Sequence, residues 1–253
     1  MASPSSSEVL SVAQEATRIF ASMGLQCCLV GGVGCLLYGC IRTPGDVDLV
    51  VVTYSYGQES LKNFLVAKNS NFYTRASKQI GATWRVLYYR LPGYRRSCKV
   101  DVLTPGIMNI PFTPTDKIVY LSDLPVMPLI PLLLLKLQAW SDHRASYRLD
   151  FQAKQHTDAR DILRLLKIAV RKGEHLDKVA WLPSTFVDAG KERVVKFQDS
   201  QGSSSKWEKI GLQAQTTSVV SSAAASTKIH RKQPLSSSKD ASRSRVKSNL
   251  PLP

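Results

Sequence analysis

The chain has 253 residues, 43% of them hydrophobic, and carries 34 Lys and Arg against 19 Asp and Glu, a formal charge of +15 at pH 7. That length can bury one core with a small annex, and that charge favours polyanionic company (triphosphates, nucleic acid or an acidic partner) without choosing among them. Cys27, Cys28, Cys35, Cys40 and Cys98 are odd in number and form no CxxC pair, which argues against a disulfide framework or zinc finger and for small buried hydrophobes in a reducing compartment.

Residues 1–7 are small and polar, unlike a signal peptide. In chain order, residues 8–23 place Val9, Leu10, Val12, Ala13, Ala16, Ile19 and Phe20 on one helical stripe before Gly24. Residues 25–30 make a short apolar strand that ends in Gly31-Gly32, and a second helix is expected over 33–38. DVDLVVVT, residues 46–53, reads as a buried β-branched strand, and 58–68 as a helix with Leu61, Phe64 and Leu65 inward. Strands are predicted over 83–90 and 97–103, antiparallel to each other across the turn at Pro92-Gly93. Residues 128–142 and 151–172 are expected to form a helical hairpin beside the sheet, with a further helix over 184–196. The most apolar run, 124–135, is interrupted by Pro125, Pro128 and Pro131 and is too short to span a bilayer.

After Ser200 the composition turns to Ser, Ala, Lys and Arg, which cannot repay the entropy of folding. Residues 201–253 hold nine basic and two acidic side chains, a net +7, which leaves +8 for the first 200. The expected organisation is a core over 1–125, a helical annex over 126–200 and a disordered basic tail over 201–253. The fold class is α+β: a small mixed sheet with helices on one face and a C-terminal helical annex.

Asp46 and Asp48 stand two apart on a strand, so both carboxylates point one way. An isolated pair of this kind is more often two solvated acids at a strand edge. Asp101, in KVDVL, interrupts another strand that reads as buried, and a buried carboxylate needs a cation. Lys99 or Arg85 could be that cation; so could a divalent ion, because three acids on neighbouring strands make the hard oxygen cage that magnesium takes with phosphate. Glycines at a strand-to-helix turn let backbone amides approach an anion, though most such turns are merely tight. Thirteen residues separate Gly32 from Asp46, room for a short helix and a return loop. His143 and His156 flank Asp142 and Asp158 but read as helix-surface polar residues, and no G-x-S-x-G elbow is present.

The string LVGGVGCLLYGCIRTPGDVDLVV, followed by KVDVL, resembles the signature of the DNA polymerase beta-like nucleotidyltransferase superfamily. It is most similar to the small stand-alone members, the minimal and AbiEii-like nucleotidyltransferase proteins, in which Tyr-Gly and an Arg precede the Asp pair, as Tyr38-Gly39 and Arg42 do here. The resemblance implies that Gly31 and Gly32 hold the triphosphate of a nucleotide, and that Asp46, Asp48 and Asp101 bind Mg2+ or Mn2+ and are catalytic. Arg42 and Lys136 are the further cofactor-binding candidates, offsetting phosphate charge, against the alternatives of a surface ion pair for the arginine and a snorkelling lysine.

Two functions are thus expected. The first is transfer of a nucleoside monophosphate from an NTP to a hydroxyl on a protein, a small molecule or an RNA end. The second is a catalytically silent nucleotide-binding or regulatory module, in which the basic tail (KIHRK, RSRVK) touches nucleic acid or a partner. Neither involves a membrane, and the expected compartment is the cytoplasm or, through the tail, the nucleus.

Overall fold

A computed structural model describes residues 3–79 and 81–213. The chain opens on α1 (Ser6–Ser22), where Ser5 and Glu8 form a reciprocal capping box that satisfies two of the free first-turn donors. Met23 and Gly24, the latter at φ +72°, end it. Then follow β1 (Cys27–Leu29), α2 (Gly31–Leu37), β2 (Asp46–Val51), α3 (Gln58–Lys68), β3 (Phe72–Ala76), β4 (Arg85–Arg90) and β5 (Ser97–Leu103). A hairpin of β6 (Val119–Leu121) and β7 (Leu124–Val126) precedes the helices α4 (Leu129–Ala145), α5 (Leu149–Gln152), α6 (Gln155–Arg171), α7 (Ser184–Gln201) and α8 (Lys206–Lys209).

The seven strands form one mixed sheet in the order β3-β4-β5-β2-β1-β7-β6. β2 runs parallel to β5 and β1 parallel to β7, and the other pairs are antiparallel, including the expected β4–β5 pair. Strand alternation divides β2 between two cores. Val47, Leu49 and Val51 join Val100, Val102 and Leu87 under α1 and α3, while Val50 faces the opposite side with Cys28, Val30 and the α4 leucines. The sheet is therefore covered by α1 and α3 on one face and approached by the annex on the other. α4 is apolar nearly all round because it is buried among its neighbours, with Leu132, Leu133, Leu134 and Leu137 fully enclosed. α6 is amphipathic and lies along α4.

Several expectations shift. α2 begins at Gly31 itself, not at residue 33. The helix expected over 151–172 is two pieces, α5 and α6, with Ala153 and Lys154 between them. The strand β3 and the β6–β7 hairpin were not anticipated; the hairpin turns on Ser122 (φ 49°) and Asp123 (φ 61°), left-handed positions that lack the glycine or asparagine cue. The ordered chain also runs past residue 200: Trp207 is 1% exposed and Ile210 and Leu212 are fully buried in the α4–α6 core. The folded part thus includes residues 201–213 of the assigned tail, and the rest of that assignment, 214–253, lies outside the described residues. Among the described residues no helix is long and apolar enough to cross a membrane.

Candidate active site

β2 begins at Asp46, so the two-residue repeat of the strand turns Asp46 and Asp48 to the annex face. The parallel register with β5 sets Asp48 directly opposite Asp101. Each of the three offers a carboxylate oxygen, and these oxygens lie within 4.8 Å of one another. Three like charges so close cannot all ionise freely. Burial first, and then the charges of Asp46 and Asp101, push the Asp48 carboxyl up to about 7. Lys99, opposite Asp46 in the register, donates to Asp101. Of the two cations considered for Asp101 it is the one that pairs; Arg85 turns away to Thr74. One ammonium against three carboxylates leaves an excess of negative charge, and the donor set is all hard oxygen, which suits Mg2+ or Mn2+.

The glycine turn meets this cluster from the side. The N–H of Val30 donates to the carbonyl of Asp48 at 2.9 Å, which fixes the end of β1 against the middle of β2. Gly31 then adopts φ +56°, and a Cβ there would lie 1.9 Å from Asp48 Oδ2. No other residue fits without displacing that carboxylate. A Cβ on Gly32 would stand 3.0 Å from both the Arg42 guanidinium and Pro44. The first helical bond of α2 runs from Gly34 N–H to Val30, so the amides of Gly31 and Gly32 precede the ladder and are open to another acceptor.

Arg42 and Lys136 also reach the site but are already engaged. The Arg42 guanidinium grips Asp161 through three contacts of 2.9–3.0 Å. The buried Lys136 ammonium lies 3.1 Å from both Asp158 and Asp161. Burial opposes its charge, but Cys35, Asp158 and Asp161 outweigh that and hold its pKa above the usual lysine value. His143 Nδ1 closes the network at 2.6 Å from Asp158 Oδ2. His143 is therefore not the surface residue expected, although nothing of the kind holds His156. Lys136 does not snorkel: its charge is buried and paired. Sequence reasoning passed over Asp158 and Asp161 as site residues; the available signal was two acids three apart on the apolar stripe of α6, beside Ala159, Ile162 and Leu165.

These groups line a cleft of about 910 Å³ between the sheet and the annex. One wall carries Gly31, Gly32, Asp46, Asp48, Lys99 and Asp101; the other sets an apolar stretch of Met108, Ile110, Leu135, Tyr147 and Phe151 beside Lys136, Gln138, His143 and Asp158. Its size and mixed lining suit a nucleotide-sized ligand. A second group with ion-holding geometry among the described residues, Cys35, Cys40 and Asp161, is wholly buried. Arg42 and Lys136 already occupy its carboxylate, so a cation there would face two positive charges. All five cysteines are buried and unpaired, as expected of small hydrophobes.

The chain aligns over 84% of its length with 96% of a solved antigenic nucleotidyltransferase-like protein from Paracoccidioides brasiliensis, at a TM-score of 0.59 and 17% identity. The chain has a nucleotidyltransferase fold. A terminal uridylyl transferase 4 from Trypanosoma brucei, solved with bound GTP, is also similar, at a TM-score of 0.33 and 12% identity over 81% of this chain and 68% of that one. No family model matches the sequence, and no curated protein matches it. The glycine turn, the Asp pair and the third acid all line the one cleft.

Proposed function

We propose that this chain is a metal-dependent nucleotidyltransferase that moves a nucleoside monophosphate from an NTP to a hydroxyl. The observation that carries the reading is the convergence of three carboxylate oxygens within 4.8 Å on the lining of a nucleotide-sized cleft. Asp46, Asp48 and Asp101 are the proposed ligands of Mg2+ or Mn2+. Bound there, the ion supplies Lewis-acid stabilisation of the phosphoryl oxygens and lowers the cost of ionising the attacking hydroxyl.

The protein's own groups do the positioning. Gly31 and Gly32 present their amides to the triphosphate, and the absence of a Cβ at Gly31 keeps the Asp48 carboxylate and the phosphates within one small space. The apolar stretch takes the nucleoside. The acceptor oxygen attacks the α-phosphorus and the bond to the β-phosphate breaks. Pyrophosphate leaves, and the hydroxyl proton passes to Asp101, beside Lys99. Arg42 and Lys136 act at one remove: Arg42, tied to Asp161, holds α6 against the glycine turn, and Lys136, tied to Asp158 and Asp161, lends its charge to Asp48, whose carboxyl it pulls downward against the larger effect of burial.

The test is pyrophosphate release from each of the four NTPs with Mg2+, with and without cell extract as a source of acceptor. Asp46→Ala and Asp101→Ala are expected to lower it by more than about a hundredfold, the scale on which loss of even an outer-shell partner of a metal ligand acts. NTP binding without release, unchanged in both variants, would assign the chain to a silent nucleotide-binding role instead.

A further inference from the structure

The face of the sheet that carries the three acids continues onto β4 and β3, where Tyr73 and Tyr88 are half-buried and Arg75 and Arg90 exposed. Cross-strand pairing sets Asp46 opposite Lys99, Lys99 opposite Tyr88, and Tyr88 opposite Tyr73, and directly opposed residues share a face. A single transverse row thus leads from the acid cluster to the outer strand, across three strand spacings of about 4.8 Å, or roughly 14 Å. The two tyrosine rings at its far end are stacked, 5.8 Å apart. Arg75 lies over both, at 5.1 and 5.4 Å, and Arg90 lies over Tyr73 at 4.7 Å. Both arginines are exposed, so this end of the face is open to solvent.

Beside the row is a separate hollow of about 310 Å³ lined by Tyr73, Arg75, Arg90, Arg95 and Arg96 with Leu91 and Gly93. Among the described residues no carboxylate lines it. Arg96 is tied to Glu8, but its Nε is buried with no hydrogen-bond partner among the described residues. The local sequence is one-sided to match: residues 60–100 contain nine Lys and Arg and no Asp or Glu.

We propose that this Arg–Tyr surface binds a single-stranded nucleic acid, whose end runs along the row so that its terminal hydroxyl is the acceptor at Asp101. The inference rests on the transferase reading for the reaction but not for the binding. Guanidinium forks take phosphates two bonds at a time, and aromatic rings beside them give unpaired bases a stacking platform whatever the sequence. An acidic peptide would use the charge and have no use for the rings. The distance from the stacked tyrosines to the acids is one that a few nucleotides cover.

The experiment measures binding of a fluorescent single-stranded oligonucleotide to the full chain by anisotropy, as RNA and as DNA of the same sequence. The double substitution Arg75→Ser/Arg90→Ser is compared with Lys167→Ser/Arg171→Ser, which removes the same charge from exposed positions of α6. The surface substitutions are expected to weaken binding at least roughly tenfold and Tyr73→Leu by a similar factor, the scale of one lost stacking contact, with the α6 pair costing under about threefold. Melting temperature checks that each variant folds; should Tyr73→Leu not fold, the arginine pair decides. Equal losses in the two double variants, or equal displacement of the oligonucleotide by polyglutamate, would overturn the proposal. The stabilisation of the protein by NTP and Mg2+ is read in the same variants. If it is absent in the parent while the oligonucleotide still discriminates between the double variants, the binding surface stands and the transferase reading falls.

Discussion

Gly31 stands at the one backbone position where a side chain would collide with Asp48, and it does so at positive φ. Gly31→Ala thus carries a left-handed strain of about 1 kcal/mol and also drives the Asp48 carboxylate out of the cluster. Expected results are a modest fall in melting temperature and a much larger loss of Mg2+-dependent pyrophosphate release, at least about tenfold, compared in one preparation by thermal scan and turnover. The acids themselves give the opposite signature. Asp48→Asn removes one of three mutually repelling charges, so without divalent ions the variant should melt above the parent by a few degrees, roughly 1 kcal/mol at this chain length. The further rise that Mg2+ produces in the parent should be missing. A melting point below the parent's without metal would mean that the acids do not repel as their spacing requires. At this scale the site was legible where side-chain period alone decides direction, at Asp46 and Asp48. Asp101 stood out as an acid inside a strand that reads as buried, but its partner was open between Lys99, Arg85 and a divalent ion, because a lone acid in a strand carries no address for its neighbours.

The annex is held to the glycine turn by the Arg42–Asp161–Lys136–Asp158 network, which joins α4 and α6 to the loop before β2. Asp161→Ala leaves two cations short of a buried partner, and removing one member of a buried pair costs about 3–5 kcal/mol, readable as a fall in the urea midpoint. On the other face, α1 is pinned to the turn between β4 and β5 by Glu8, which accepts 2.7 Å bonds from both terminal nitrogens of Arg96. Those bonds, with one from the Ser5 N–H, pull the Glu8 carboxyl down from 4.5 to about 2. A depressed carboxyl stabilises the fold above its unfolded pKa and loses that contribution as pH falls through the folded value. Arg96→Ala should therefore melt below the parent at pH 7, with the gap closing between about pH 4.5 and 2, as a melting series across that range would read. The long elements were legible because helical and strand periods differ over ten residues or more. Phe72–Ala76 and the β6–β7 hairpin were not: five residues and three carry too little period, and their strand character comes from pairing with neighbours remote in the chain.

Across the whole molecule, the described fold closes on its last elements, where Trp207 packs edge-on against Phe197 and Phe197 against Trp140. Trp207→Ala should cost about 3–5 kcal/mol, measured by urea unfolding, whereas a chain whose fold ended near residue 200 would not register the change. Composition hid this because one tryptophan and two aliphatics in a polar stretch look like loop residues until a core is there to receive them. By itself the sequence determined the charge, the α+β class, the directions of Asp46 and Asp48, and the glycine turn, since all of these follow from backbone period and side-chain chemistry within a few residues. Only the tertiary structure decided that Asp48 faces Asp101, that Asp158 and Asp161 bind Arg42 and Lys136 with His143 on Asp158, and that the tyrosines and arginines of β3 and β4 continue the row that starts at Asp46. Those are matters of strand register and helix docking, fixed by the joint burial of residues that lie far apart in the chain.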